Sequence, residues 1–204
     1  MIGKIWGLEK LRINIDGPGI TTLVGMYNCP LNCEYCINNP ITHYYECSVE
    51  ELFNELFPHS LYFEHSGGGI CFGGHEPLLQ QKFILEFIKY VKIKKLNWLF
   101  GLETSLNAEI DTELLHNLNY LIVDIKDINN NIYKKYTEKD NSLVLKNLKI
   151  IRYFDNIDVV IRVPKIPGYN TDEDIENSIN YLKKLGYSNN KIEVFTYKTE
   201  DDEN

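Results

Sequence analysis

The chain alternates between short apolar runs of strand length and longer segments whose apolar residues recur every three or four positions. Runs rich in β-branched and aromatic residues predict six β-strands. They cover residues 20–27, 69–72, 98–102, 120–125, 158–163 and 192–195. The helical period predicts α-helices between most of these strands. The helices cover a segment that begins at Ser48 and residues 77–93, 108–118, 141–154 and 172–185.

Local signals mark the ends of several of these helices. Ser48 can cap one helix, and Glu51, three residues later, completes a capping box. Pro77 suits the first turn of another helix, because the N–H that it lacks has no intrahelical partner there. Thr171 caps the last predicted helix and Gly186 ends it. These signals support the alternation of strands and helices.

Strands that alternate with helices predict an α/β fold with a parallel sheet. Right-handed crossovers between consecutive strands give either an open sheet or an incomplete barrel. No linker rich in Pro, Gly or Ser divides the 204 residues, so a single domain over residues 1–204 is expected. Polar residues follow the predicted strands at Cys29, 73–76, 103–105, Asp124, Lys126 and Arg162. In parallel βα architectures, ligands bind at this carboxyl-end rim.

Charge and hydropathy narrow the choice of partner and compartment. The net charge of −8 argues against a nucleic-acid backbone as the main partner, because phosphate binding requires clustered Lys and Arg. No apolar run is long enough to cross a bilayer, so no membrane partner is expected. The N-terminal residues lack the apolar stretch of a secretory signal. A cytoplasmic location is therefore expected.

Three of the five cysteines lie close together, in the segment Cys29-Pro-Leu-Asn-Cys33-Glu-Tyr-Cys36. An odd, clustered set is a poor disulfide framework and is more typical of metal binding. Three thiolates at this spacing can hold an iron–sulfur cubane and leave its fourth iron open, unless Cys47 or Cys71 reaches it. The alternative is a zinc site completed by His43 or Cys47.

The cysteine segment, with Tyr35 at the aromatic position before its last cysteine, resembles the signature of the radical S-adenosylmethionine (SAM) superfamily. The resemblance implies that SAM chelates the open iron and is cleaved reductively to a 5′-deoxyadenosyl radical. Residues 67–80 resemble the superfamily's second-strand glycine motif, in which Gly73 stands at a usual Ser and His75 at a usual Gly. Glu76 of this motif is implied to accept a hydrogen bond from the SAM ammonium group.

The segment Asp16-Gly-Pro-Gly-Ile20 resembles the activating enzymes of glycyl radical enzymes, including the pyruvate formate-lyase-activating family. In that family the segment continues with Arg, where this chain has Thr21, and its Asp lies near the incoming peptide. The resemblance implies that Asp16 contacts the substrate. It also implies the fold of the family, an incomplete (β/α)6 TIM-type barrel with the active site at the carboxyl ends of the strands.

Further matches follow at later strand ends. Glu103-Thr-Ser105, Asp124-Ile-Lys126 and the segment around Arg162 are similar to the family's third-, fourth- and fifth-strand motifs. The resemblance implies that a monovalent cation is bound by Glu103, Thr104 and Asp124. The residues implied to hold the cofactors, besides the three cysteines, are Tyr35, Gly74, His75, Glu76, Thr104, Ser105, Lys126, Arg162 and Lys198. Lys198 stands where the family usually has His.

The resemblance implies a radical SAM enzyme with one [4Fe-4S] cluster, which abstracts hydrogen from a protein or peptide. An activase of a glycyl radical enzyme is expected, with a flavodoxin- or ferredoxin-type protein as electron donor. One alternative is an enzyme that crosslinks or epimerises a ribosomally made peptide. The other alternative is an iron–sulfur sensor or scaffold, which would not cleave SAM.

Overall fold

An eight-stranded sheet forms the centre of the computed structural model, which describes residues 1–38 and 41–197. The strands are β1 (Ile2–Ile13), β2 (Ile20–Met26), β3 (Tyr45–Ser48), β4 (Gly69–Gly74), β5 (Leu99–Thr104), β6 (Tyr120–Asp124), β7 (Asp158–Lys165) and β8 (Ile192–Thr196). Their order across the sheet is β3-β1-β2-β4-β5-β6-β7-β8. The six predicted strands correspond to β2 and β4 to β8, which are parallel to one another. The prediction of an α/β fold with a mostly parallel sheet is confirmed.

The strands β1 and β3 were not predicted, and both pair in the antiparallel sense. The side chains of β1 do not alternate cleanly between buried and exposed, and Ile2 and Ile13 are 56% and 64% exposed. A strand of this kind is stabilised by hydrogen bonds to its neighbours, which a local hydrophobic pattern does not reveal. The pairing of β1 with β2 matters for the site because residues of β1 line its cavity.

Seven α-helices connect the strands within the described residues. They are α1 (Val49–Leu56), α2 (Ser60–Ser66), α3 (Gln81–Ile93), α4 (Thr112–Asn117), α5 (Asn130–Thr137), α6 (Ser142–Ile151) and α7 (Asp172–Lys184). Five were predicted, and α2 and α5 were not. The helix predicted from residue 108 begins only at Thr112, because the Asp111 side chain caps it by accepting from the Glu113 N–H. Pro77 opens a 3-10 turn that leads into α3.

The predicted caps are present on the first and the last of these α-helices. Ser48 and Glu51 form the capping box of α1, and Thr171 forms one with Asp174 at the start of α7. Gly186 follows α7 with φ +99°, a left-handed conformation that glycine adopts without strain. These elements therefore begin and end where local side-chain chemistry directs.

The two faces of the sheet are covered differently. Each of α1 to α7 contributes buried residues to one hydrophobic core, which also takes alternate strand residues such as Val24 and Val123. The residues between them, including Leu23, Cys71 and Ile122, form a small cluster on the opposite face. No helix within 1–38 or 41–197 adds a buried residue to this second cluster, so the polar groups of the site gather on that side.

The helices are too short or too polar to cross a membrane. Across the part of the chain that the structure describes, none has the length and apolar character that a bilayer span requires.

Candidate active site

A cavity of about 370 Å³ opens at the carboxyl ends of the parallel strands. It brings together every predicted site residue that the structure describes. These are Asp16, Cys29, Cys33, Tyr35, Cys36, Gly74, His75, Glu76, Glu103, Thr104, Ser105, Asp124, Lys126 and Arg162. All but Asp16 converge because parallel strands end at one edge of the sheet. Asp16 lies in the turn before β2, at the amino end of that strand, and lines the cavity from there. The remaining predicted residue, Lys198, lies outside the described residues.

The three clustered cysteines lie on the loop between β2 and β3 and all line the cavity. Cys33 is buried, and Cys29 and Cys36 are half-buried. Burial raises the pKa of Cys29 to about 12 and that of Cys33 to about 11. Thiols must lose their protons to bind metal, so a metal centre in this position has to supply the charge that stabilises the thiolates.

The remaining cysteines do not reach the cavity. Cys47 belongs to the main hydrophobic core, under the helices. Cys71 belongs to the small apolar cluster on the other face of the sheet, the face on which the site lies. Neither residue lines the cavity. The chain therefore presents three thiols to a bound group, as expected from the sequence for a cubane with one open iron.

The donor set fits an iron–sulfur cluster better than a single zinc ion. Among the residues that the structure describes, no group of three His, Cys, Asp or Glu side chains converges on one point as a single metal ion requires. A cubane binds each thiolate at a different iron and so does not require that convergence. His43 and Cys47, the expected fourth zinc ligands, are both absent from the cavity wall.

Glu76 is a buried carboxylate held by four donors. Its Oε1 accepts from the Leu78 N–H at 3.1 Å and from the Thr104 hydroxyl. Its Oε2 accepts from the Ser105 N–H at 3.0 Å and from the Ser105 hydroxyl at 2.6 Å. Burial raises the pKa of Glu76, and these hydrogen bonds oppose the rise. The carboxylate is thereby fixed in orientation at the edge of the cavity.

The charged residues on the last strands form two separate groups. Arg162 donates to Glu103 at 2.6 Å, and burial raises the pKa of Glu103 while Arg162 lowers it. Lys126 donates to Asp124 and, at 2.8 Å, to the Tyr197 hydroxyl. Burial alone would lower the pKa of Lys126, but Asp124 holds it well above its ordinary value.

The three residues expected to hold a monovalent cation have different partners. Glu103 pairs with Arg162, Thr104 with Glu76, and Asp124 with Lys126. They share the cavity but do not form a common ligand set in this structure. The monovalent cation stays a prediction.

Two buried polar atoms of the wall match a polar ligand, and Gly74 makes room for the side chain that carries one of them. Trp6 Nε1 and Asp124 Oδ1 are buried and have no hydrogen-bond partner among the described residues, and both residues line the cavity. Gly74 has φ +85°, and a Cβ there would lie 2.4 Å from Trp6 Nε1. Buried polar atoms without partners are rare in proteins, and a bound ligand is one way of satisfying them. The site therefore fits both the cluster and a polar cofactor beside it.

His75 binds the backbone at both ends of the cysteine loop. Its Nδ1 accepts from the Asn28 N–H at 3.2 Å, and its Nε2 lies 3.2 Å from the Asn38 carbonyl oxygen. The first contact requires an unprotonated Nδ1, so Nε2 carries the proton and donates to Asn38. The residue that departs from the glycine motif thus supports the loop that carries the thiols.

Sequence reasoning missed several residues of the wall. Trp6 and Arg12 lie on β1, which was not predicted, while Tyr136 lies on the unpredicted helix α5. Tyr197 follows β8 and bonds to Lys126. One signal could have found Trp6 and Arg12. It is the possible hairpin in which residues 5–12 pair with the predicted strand 20–27 across the turn at Asp16.

A sheet of this topology, with three thiols and a polar cavity at its carboxyl edge, defines a cofactor-binding α/β enzyme. Residues 23–182 match the model of the radical SAM superfamily, so the chain belongs to that superfamily. Membership implies a [4Fe-4S] cluster and SAM as cofactors, and it makes the chain an enzyme.

Two curated relatives point to one branch of the superfamily. The pyruvate formate-lyase-activating enzyme of Clostridium pasteurianum is 30% identical over 213 residues, which cover 98% of this chain and 84% of the relative. The enzyme of that name from Staphylococcus epidermidis is 32% identical over 211 residues, with 96% and 81% covered. The chain is therefore similar to glycyl radical activating enzymes over nearly its whole length.

A solved structure shares the fold at much lower identity. SuiB of Streptococcus suis, solved with its precursor peptide SuiA, is 13% identical with a TM-score of 0.62. The match covers 85% of this chain, and the chain spans 38% of the SuiB chain. This likeness supports the fold alone.

Proposed function

We propose that this chain activates a glycyl radical enzyme by removing a Cα hydrogen from a glycine of that partner protein. The similarity to pyruvate formate-lyase-activating enzymes carries the proposal, since it extends over 98% of the chain. The position of Asp16 supports it, because the family's substrate-side segment lies in the wall of the same cavity as the three thiols.

In this proposal Cys29, Cys33 and Cys36 hold the cluster, and the cavity beside them holds SAM. When bound, the two cofactors together supply a 5′-deoxyadenosyl radical. Tyr35 of the cysteine loop and Tyr136 of α5 pack with Cys33, with ring centroids 6.2 Å apart, and are proposed to limit the access of water from that side. A flavodoxin- or ferredoxin-type protein is the proposed electron donor.

The remaining polar residues bind and orient SAM. Glu76 is the proposed acceptor for its ammonium group, since the carboxylate is fixed and charge strengthens such a bond. Gly74, a proposed part of the SAM site, leaves room for Trp6, a residue of the cavity wall whose Nε1 has no partner among the described residues. Lys126 and Arg162 are the proposed partners of the carboxylate or ribose, and Asp124 Oδ1 provides an unused acceptor.

We further infer that the sheet is curved into an incomplete barrel. Residues of β1, near one edge of the sheet, and Phe195 of β8, at the other edge, line the same cavity. A flat sheet of eight strands would hold them far apart. The gap between the two edges offers a lateral entrance that a polypeptide loop could use.

A second candidate is modification of a ribosomally made peptide. Thr21 and His75 depart from the activase pattern, and the structurally similar SuiB was solved with a precursor peptide. This reading shares the cofactors and the hydrogen abstraction and differs only in the macromolecule that enters.

Anaerobic reconstitution followed by two assays tests the proposal. We expect about four irons per chain and formation of 5′-deoxyadenosine from SAM under a strong reductant, both lost in Cys33→Ala. With pyruvate formate-lyase of Clostridium pasteurianum added, we expect a glycyl radical in the electron paramagnetic resonance spectrum. Formation of 5′-deoxyadenosine without that radical, across the glycyl radical enzymes tried, would reject the activase in favour of peptide modification.

A further inference from the structure

The turn that contains Asp16 is flanked by two residues directly opposite each other. The strands β1 and β2 are antiparallel, and Arg12 of β1 pairs with Thr21 of β2. The Thr21 hydroxyl donates to the Arg12 carbonyl at 3.3 Å, which confirms their proximity. Side chains directly opposite in an antiparallel pair lie on the same face of the sheet. A side chain at position 12 and a side chain at position 21 therefore extend from the same face of the sheet, next to the turn.

Arg12 donates from each of its three guanidinium nitrogens to a carboxylate near this turn, which leaves one further N–H on Nη1 and one on Nη2. Its Nε and Nη2 both donate to Asp16, the latter at 3.0 Å, and its Nη1 donates to Glu9. The Asp16 side chain is only 4% exposed, whereas those of Arg12 and Glu9 are 27% and 46% exposed. A buried carboxylate needs such a partner, because an unpaired charge is strongly disfavoured in the interior.

These contacts relate the unusual residue Thr21 to Arg12, a side chain that the sequence analysis did not identify. Thr21 stands where the activating enzymes have Arg, and Thr cannot pair with a carboxylate as a cation does. Arg12, directly across the strand pair, provides the positive charge that position 21 lacks. All three cavity residues of this group, Glu9, Arg12 and Asp16, line the wall beside the cofactor site.

We infer that Arg12 is the positioning residue for Asp16 on the substrate side of the cavity, and that it replaces from β1 an arginine at position 21 of β2. The inference rests on the proposed activase function. It also identifies what an entering polypeptide meets first, namely the exposed parts of Arg12 and Glu9 rather than the buried Asp16 carboxylate. N–H donors beside carboxylate acceptors suit the backbone amides of an extended segment.

A charge swap across the strand pair tests the inference. The variants are Arg12→Thr, Thr21→Arg, the double variant with both changes, and Arg12→Lys, which keeps the charge without the fork. Lys10→Thr is the matched control, since Lys10 lies on the same strand, does not line the cavity, and forms an exposed ion pair with Glu55 at 3.6 Å. Each protein is measured twice, by urea unfolding without substrate and by activation kinetics with Clostridium pasteurianum pyruvate formate-lyase.

We expect the double variant to recover much of the stability and partner affinity that Arg12→Thr loses. Arg12→Thr lowers the urea midpoint and raises KM for the partner by about tenfold or more, with a smaller change in kcat, because a buried charge loses its pair. Thr21→Arg alone also lowers the midpoint, because Thr21 is fully buried. The double variant regains at least half of both losses, Arg12→Lys retains part of the affinity, and Lys10→Thr matches the wild type.

The two measurements separate failure of the inference from failure of the proposed function. A double variant no better than Arg12→Thr in midpoint and KM would overturn the replacement of one arginine by the other. Recovery of the midpoint without recovery of KM would overturn the substrate-side role and leave a purely structural ion pair. A wild-type protein that forms no glycyl radical in any partner would overturn the proposed function, whatever the unfolding data show.

Discussion

At the scale of single residues, His75 shows how a departure from a motif can have a structural use. A glycine at this position would leave the Asn28 N–H and the Asn38 carbonyl without the partners that the imidazole supplies. These two residues flank the three cysteines, and the Asn38 amide also donates to the Gly74 carbonyl at 2.6 Å. His75 therefore fixes the distance between the two ends of the loop that is proposed to hold the cluster.

Replacement of His75 by Gly should loosen that loop without removing a thiol. We expect faster hydrogen exchange at the Asn28 amide of the apoprotein and faster release of iron to a chelator from the reconstituted protein. Two hydrogen bonds of about 1 kcal/mol each are lost. His43→Gly is the control, since His43 is exposed. Unchanged exchange at Asn28 would show that the loop keeps its position without the imidazole.

At the scale of elements, capping determines where the helices start. The Ser48 hydroxyl accepts from the Glu51 N–H at 3.2 Å, and the Glu51 carboxylate accepts from the Ser48 N–H at 2.8 Å. The Ser48 hydroxyl also donates to the Glu51 carboxylate at 2.7 Å, and this bond, together with the one from the Ser48 N–H, lowers the pKa of Glu51. Helix α1 begins directly after the edge strand β3, so this box also fixes the junction between strand and helix.

Ser48→Ala should destabilise the protein by about 1 kcal/mol, because the alanine methyl cannot accept from the Glu51 N–H. Chemical unfolding measures the loss. Glu50→Gln, on an exposed position of the same first turn, should change the free energy of unfolding by less than about 0.5 kcal/mol. Equal losses in the two variants would mean that general charge near the helix start, and not the cap, accounts for the effect.

At the scale of the whole molecule, the sheet distributes the five cysteines between the site and the interior. The loop after β2 presents Cys29, Cys33 and Cys36 to the cavity, while Cys47 and Cys71 pack among apolar side chains. The same backbone thus separates thiols that can bind a cluster from thiols that act as small hydrophobic residues.

Removal of the two core thiols should leave iron binding intact. We expect Cys47→Ala and Cys71→Ala, reconstituted anaerobically, to hold the same iron content as the wild type, with some loss of stability from the smaller side chains. Cys29→Ala and Cys36→Ala should lose most of the iron, which an iron assay and the visible spectrum report. Loss of iron in Cys47→Ala at unchanged folding would place that thiol at the metal centre.

The tertiary structure also decides which charges meet. Asp16 and Arg12 are close in sequence, yet their pairing depends on the antiparallel alignment of β1 with β2. Lys126 and Tyr197 are 71 residues apart and are joined only because β6 and β8 end at the same edge of the sheet. No local pattern encodes the second of these contacts, because it depends on the alignment of strands that are distant in sequence.

The sequence by itself determined the six parallel strands, five of the α-helices, the clustered thiols and the strand-end polar residues, since each has a local physical cause in periodicity, capping or spacing. Only the tertiary structure decided that β1 and β3 complete the sheet, that Trp6 and Arg12 enter the cavity wall, and that His75 joins both ends of the cysteine loop. Those features depend on strand pairing and on the burial of polar atoms, which are properties of the folded chain as a whole.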